Sequence, residues 1–189
     1  MLAINFMPFP VMVTERLLFR QLAPGDASDI YSLRSDETVN KFLTRDQYKT
    51  LGEAGAFINK INRGISNNEW IYWGIALKED NKLVGTICLW HIQPENYRAE
   101  IGYELHPDFW GKGIMREAMT TIIEYAFETM KLHTLEADTD PDNFQSVLLL
   151  EKNGFTKEGH FKESVYFNGI FSDRAVYSLV NAYGKEVKD

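Results

Sequence analysis

Residues 100–117, EIGYELHPDFWGKGIMRE, hold the spacing best suited to chemistry in this 189-residue chain. Ile101, Tyr103 and Leu105 alternate with polar or small residues, the pattern of a buried strand. Pro107 then turns the chain, Gly111-Lys112-Gly113 makes a glycine-bracketed loop, and helix-forming residues follow. A strand that delivers such a loop to a helix start builds an anion site. Glycine lets backbone approach a ligand closely, and the first N–H groups of a helix lack internal partners and sit at its positive end. Two familiar phosphate loops fit badly. A P-loop needs Ser or Thr after its Gly-Lys, but Lys112 is followed by Gly113 and Ile114, so the Mg²⁺-holding hydroxyl is missing. A dinucleotide fingerprint needs a third glycine where Arg116 stands.

Other reactive residue types are less productive. Asp138, Asp140 and Asp142 imitate the opening of a calcium loop, but Asn143 replaces its turn glycine and Leu149 its terminal glutamate. His91, His106, His133 and His160 have no metal-ligand spacing, so no metal is expected. His91 and His106 end neighbouring strands and could line a channel. Cys88, the single cysteine, lies in the apolar run 84–90 and reads as a buried core residue. It excludes an intramolecular disulfide and suits a reducing cytoplasm. A net charge of −7 argues against broad binding to nucleic acid or to an anionic membrane. No uncharged run reaches the ~18 residues that span a bilayer.

The elements around this stretch follow from periodicity. Residues 16–22 read as a first strand, and Asp26, after Pro24-Gly25, as the cap of a helix carrying Ala27, Ile30, Tyr31 and Leu33. Thr50 and Glu53 form a capping box for a helix over 50–65, with residues 40–49 as a loop over one end of the sheet. Residues 70–77 and 83–92 form a hairpin, 98–106 a third strand, and the helix after the glycine loop leads to a parallel strand at 132–138. A helix at 145–152 and a last hairpin, 155–166 with 170–180 turning at Asn168-Gly169, complete the chain. Trp70, Tyr72, Trp73 and Trp90 read as core or rim packing, whereas Phe161, Tyr166 and Phe167 could border a binding mouth. The division is an apolar N-terminal extension over 1–13, one domain over 14–183 and a tail over 184–189. The extension is expected to pack on the domain or on a partner.

TERLLFRQL near the start, IGYELHPDFWGKGIMREA in the middle and DNFQSVLLLEKNGF later resemble the GCN5-related N-acetyltransferases (GNAT), within them the ribosomal-protein N-terminal branch. The resemblance covers residues 14–183. It implies an α/β fold with a mixed, mostly antiparallel central sheet, one parallel strand pair splayed at the cofactor site and helices on both faces. It also implies acetyl-CoA as co-substrate and a primary amine as acceptor, a protein N-terminus first, with a polyamine, antibiotic or amino-acid metabolite as alternatives. A coenzyme-binding module without catalysis is a further alternative, and a homodimer is possible.

The family's pyrophosphate loop maps onto Trp110, Gly111, Lys112, Gly113, Ile114 and Met115, with Trp110 and Met115 departing from its general pattern. Lys112 and Arg116 flank it, either against phosphate or simply solvated. Leu105 would give its N–H to the thioester carbonyl, and His106 adjoins it. Asn143 would contact pantetheine or cap its helix. Leu150 stands where many relatives carry a tyrosine acid, leaving Ser146, one turn earlier, to meet the sulfur. Glu104 is the leading base, with partial burial expected to raise its pKa. Glu100 is its rival, and the alternative is that Glu104 simply binds a positively charged substrate or pairs with a nearby base.

Overall fold

The computed structural model describes residues 2–181. Eight strands form one sheet: β1 (Met12–Val13), β2 (Leu17–Arg20), β3 (Ile71–Leu77), β4 (Leu83–Gln93), β5 (Arg98–Leu105), β6 (Thr134–Thr139), β7 (Thr156–Phe167) and β8 (Ile170–Val180). Their spatial order is β1-β2-β3-β4-β5-β6-β8-β7. Among the described residues only β5 and β6 run parallel. The helices are α1 (Ala27–Ser35), α2 (Glu37–Asn40), α3 (Leu51–Ser66), α4 (Ile114–Glu124, continued by a π turn) and α5 (Phe144–Lys152).

Side-chain alternation sorts the helices by face. Glu104 meets Arg34 on α1, whereas its neighbour Tyr103 meets Ser146 on α5. Adjacent strand residues point to opposite faces, so α1 and α5 lie on opposite sides of the sheet. On β3 the same test puts Tyr72 against Phe57 of α3 and Trp73 against Tyr125 at the end of α4. Trp73, Ile87 and Ile101 of the sheet and Ile122 of α4 are buried in the core.

Local chemistry accounts for most boundaries. The capping box forms as expected: Thr50 Oγ1 accepts the Glu53 N–H at 3.3 Å and Glu53 accepts the Thr50 N–H at 2.8 Å. Asn168 (φ 47°) and Gly169 (φ 84°) supply the two left-handed residues that a tight hairpin turn requires. Asp26 departs from expectation. A 3-10 turn precedes α1, so Asp26 is already helical, and its carboxylate accepts from Arg20 at 2.7 and 2.8 Å and from the Ala23 N–H instead of capping α1. Within the apolar N-terminal stretch, Met12 and Val13 pair with β2 and Phe6 is buried in the core. The proposed domain end at 183 and the tail 184–189 lie outside the described residues. Among those residues no helix is long and apolar enough to cross a membrane.

The sheet is open at one place. β5 pairs with β6 only at Arg98↔Thr134, Ala99↔Leu135 and Glu100↔Glu136. β5 nevertheless stays paired to β4 as far as Gly85↔Leu105, and β6 to β8 as far as Thr139↔Ala175. The two strands therefore part after Glu100 and Glu136, each still held on its outer edge.

Gly85 keeps this opening in shape, since a Cβ there would lie 2.5 Å from the Glu104 carbonyl and 2.9 Å from Leu105 Cδ1. Gly85→Ala is expected to destabilise the fold by about 1–3 kcal/mol through overpacking. Gly55→Ala, where α3 leaves the Cβ position open, should stabilise by about 0.4–1 kcal/mol. Urea unfolding of both variants checks the pair.

Candidate active site

The opening presents backbone donors. His106 donates its N–H to the Val84 carbonyl at 2.9 Å on the β4 side. Antiparallel ladders alternate, so the N–H and C=O of Leu105 and Tyr103 point the other way, into the gap beyond the last β6 pair. Trp110 explains itself here: its Nε1–H donates to the Leu105 carbonyl at 2.8 Å, pinning the strand end and leaving the Leu105 N–H as the donor aimed at the gap.

The glycine loop follows directly. Gly111 (φ 71°) and Gly113 (φ 74°) take left-handed conformations that other residues adopt only with strain. Gly113 caps α4 with no side chain, and the Glu117 N–H makes the bond back to the Gly113 carbonyl at 3.1 Å. The N–H groups of Ile114, Met115 and Arg116 thus precede the intrahelical ladder. Ile114 and Met115 bury their side chains and fix the helix start. Lys112 and Arg116 are exposed; Lys112 Nζ lies 5.4 Å from the Phe109 ring centre.

A clamp that sequence patterns do not show holds the outer side of this loop. Arg16 donates through Nη1 to the Lys112 carbonyl at 2.8 Å and through Nε to Glu117 Oε2 at 2.7 Å. Thr14 donates its hydroxyl to the other oxygen of Glu117. Burial pushes the Glu117 pKa up, but these bonds more than offset it and leave the carboxylate below its ordinary range. Thr14 and Arg16 are more than a hundred residues from Glu117, so no local period announces them.

Across the gap, Ser146 shares a 2.7 Å hydrogen bond with Tyr103. Burial raises the Tyr103 pKa to about 12, partly opposed by that bond. Tyr103 points away from Glu104, as alternation requires, and so meets Ser146, a pairing the sequence reading misses. Asn143 caps α5, its Oδ1 accepting the Ser146 N–H at 3.2 Å. Leu150 is fully buried core.

Glu104 overturns the expected rise in its pKa and takes the alternative, pairing with nearby bases. Its side chain is buried between two arginines: Arg34 donates through Nε at 3.1 Å and approaches through Nη2 at 3.0 Å, and Arg45 pairs with the second oxygen. Thr86 adds a hydroxyl at 3.2 Å. Burial pushes the Glu104 pKa up, but the two guanidinium charges pull it further down, below the usual carboxylate range rather than toward neutrality. Arg34 is itself fixed over the Phe57 ring at 3.6 Å and donates to the Tyr48 and Tyr72 hydroxyls. Glu100 behaves oppositely: burial raises its pKa, partly offset by a 2.9 Å bond to His91 Nδ1. His91 stacks on Trp90 with ring centres 4.4 Å apart.

His106 also departs from its expected place beside the cofactor. Its N–H is taken by Val84, and its ring faces α1, with Nε2 3.3 Å from Ser32 Oγ and Nδ1 3.6 Å from Asp108 Oδ2. The set imitates a nucleophilic triad without its polarity. The Asp108 backbone N–H, rather than a carboxylate at hydrogen-bond distance, meets Nδ1, so the orienting contact of a triad is missing. Among the described residues no group of three or more His, Cys, Asp or Glu side chains could hold a metal ion.

Comparison with known proteins identifies the family. The family model described as an acetyltransferase (GNAT) domain fits residues 16–156. The chain belongs to the GNAT family. The uncharacterized N-acetyltransferase YoaA of Bacillus subtilis (strain 168) is 33% identical over 91% of this chain and 97% of its own. The [ribosomal protein uS5]-alanine N-acetyltransferase of Escherichia coli (strain K12) is 28% identical over 89% of each chain. The spermidine N(1)-acetyltransferase of Vibrio cholerae is 26% identical over 90% of this chain and 97% of its own. Among solved structures, the microcin C7 self-immunity acetyltransferase MccE in complex with acetyl-CoA and AMP superposes with a TM-score of 0.81 at 25% identity, covering 94% of this chain and 99% of that one. This GNAT chain is therefore an acyltransferase with the mixed sheet, single parallel pair and flanking helices of its family.

A depressed folded-state pKa stabilises above the unfolded value and is lost as pH falls through the folded one. Glu104 should therefore contribute its full stability above its ordinary value of 4.5 and lose it below. Glu104→Gln leaves two arginines without their carboxylate and is expected to cost about 3 kcal/mol at pH 7. Denaturant unfolding between pH 3 and pH 7 should show wild type losing stability toward acid and the variant losing less.

Proposed function

We propose that the chain transfers the acetyl group of acetyl-CoA to a primary amine, a protein or peptide N-terminal α-amine, by direct attack in a ternary complex. The supporting observation is the gap itself. The Leu105 N–H points into it, and the glycine loop and the bare start of α4 lie at its end. The residues present fit the coenzyme: the parted strands leave backbone groups for an extended chain to pair with, and Gly111 to Arg116 give N–H groups for a pyrophosphate. The thioester supplies the acetyl group and a thiolate leaving group.

The protein's own groups then divide the work. The Leu105 N–H is the donor for oxyanion charge. Ser146, held by Tyr103 and by the α5 cap, donates toward the departing sulfur. Attack needs a neutral amine, and the buried Arg34–Glu104–Arg45 cluster carries one excess positive charge that disfavours an ammonium ion nearby. Glu104, pinned as an ion-pair partner, keeps that cluster in place. The proton goes to Glu100, whose pKa is raised, through solvent and His91, since five residues of strand separate it from Leu105 by roughly 16 Å.

The same positive cluster opposes a polycation in the acceptor site, which favours a peptide amine over a polyamine. Thiol release with a panel of Ser- and Ala-starting peptides and polyamines checks this: turnover of the peptides is expected, and turnover of polyamines alone would overturn it. Glu100→Gln should lower kcat/KM by about 10²-fold and shift the acidic limb of its pH profile. Ser146→Ala should lower kcat by about tenfold or more, with acetyl-CoA still bound, as isothermal titration would show.

A further inference from the structure

A cleft of about 360 Å³ lies between residues 40–49 and the tip of the β7–β8 hairpin, where Phe167 and Asn168 form its far wall. It touches the candidate site through one side chain. Arg45 lines the cleft and reaches the carboxylate of Glu104, the strand neighbour of Leu105. The hairpin wall is the end of β7 and the turn beyond it; β8, the other strand of the hairpin, pairs with β6, the other arm of the gap. The cleft thus stands at the mouth leading to the parted strands.

Its charge opposes that of the whole chain. Lys41, Arg45 and Lys49 line it against a single acid, Asp46, in a protein of net charge −7. Arg45 is engaged with Glu104, but neither Lys41 nor Lys49 enters any ion pair among the described residues. Glu53, four residues after Lys49, accepts the backbone N–H groups of Lys49 and Thr50 and feels the Lys49 charge without forming an ion pair with it. The hairpin tip, VYFNGIF over 165–171, adds no charge of either sign. It exposes apolar surface instead: Tyr166, Ile170 and Phe171 are 63%, 70% and 60% accessible. Two unpaired lysines beside an uncovered apolar tip match an extended acidic peptide better than a small anion, because only a chain several residues long could meet both.

We propose that this cleft receives an acidic segment of the acceptor polypeptide, a few residues downstream of the amine that is acetylated. The proposal rests on the N-terminal-acceptor reading and names its substrate class. Lys41 and Lys49 select carboxylates, and the hairpin tip packs on intervening apolar side chains. Exposed pairs of this kind contribute modestly, so selectivity comes from several together.

The test uses peptides with one N-terminal sequence, Ser-Ala, followed by Asp-Asp, Asn-Asn or Lys-Lys, assayed by thiol release at low and high salt. The acidic peptide should exceed the neutral one by about tenfold in kcat/KM, and the advantage should shrink at high salt. Lys41→Glu with Lys49→Glu should reverse the order and favour the Lys-Lys peptide, a gain that misfolding cannot produce. Equal turnover of the three peptides, or an order unchanged by charge reversal, overturns the acidic-segment proposal and leaves the N-terminal reading intact. Turnover of free glutamate or phosphoethanolamine with none of any peptide overturns both.

Discussion

The parting of β5 from β6 is the constraint on which the rest of the structure depends. A strand that leaves its neighbour gives up hydrogen bonds, and buried backbone groups need partners. Here the loss is confined to one edge. β4 continues to pair with β5 to its end, the Trp110 indole takes the Leu105 carbonyl, and Gly85 lets the β4 backbone lie close beneath Glu104 and Leu105. The residual donors face one gap and share one direction. The glycine loop begins within a few residues of that strand end, and the Arg16–Glu117–Thr14 clamp ties it to the first strands, so gap and loop are positioned by the same framework.

The two faces of β5 have separate tasks. On the α5 face, Tyr103 and Ser146 bring hydroxyl groups to the gap. On the α1 face, Glu104, Arg34 and Arg45 form a buried cluster with one positive charge in excess, and Glu100 keeps a raised pKa beside His91. A buried ion cluster carries a large desolvation penalty and is a weak source of stability. Its effect on an approaching amine is direct, because it favours the neutral form that can attack. The same positive potential extends outward through Arg45 to Lys41 and Lys49, so one electrostatic arrangement bears on both reactivity and acceptor choice.

Much of the fold was legible because period and punctuation agree along this chain. The hairpin at 70–92, the capping box at Thr50, the Asn168-Gly169 turn and the strand–loop–helix unit at 100–117 each follow from local patterns. Short elements were not legible. β1 has two residues and α2 has four, too few to show a period. Long-range charge pairing was not legible either. Glu104 looked like a carboxylate that burial would make basic, since nothing in residues 98–106 reveals that Arg34 and Arg45 converge on it. Asp26 failed for the same reason, drawn from its helix by Arg20. Alternation placed Tyr103 opposite Glu104 correctly, but its partner Ser146 lies 43 residues away. Sequence period orders neighbours along an element; which charges meet across the core depends on packing.

The most direct measurement is residue-resolved amide hydrogen exchange with and without acetyl-CoA. The Tyr103 and Leu105 amides and those of residues 111–116 should exchange faster than those of Gly102 and Glu104 in the free protein, and slow strongly when acetyl-CoA is added. The Gly102 and Glu104 amides, already bonded across to β4, should change little. Saturating acetyl-CoA that protects other amides while Leu105 and the glycine loop exchange as before would contradict the placement of the coenzyme between the parted strands.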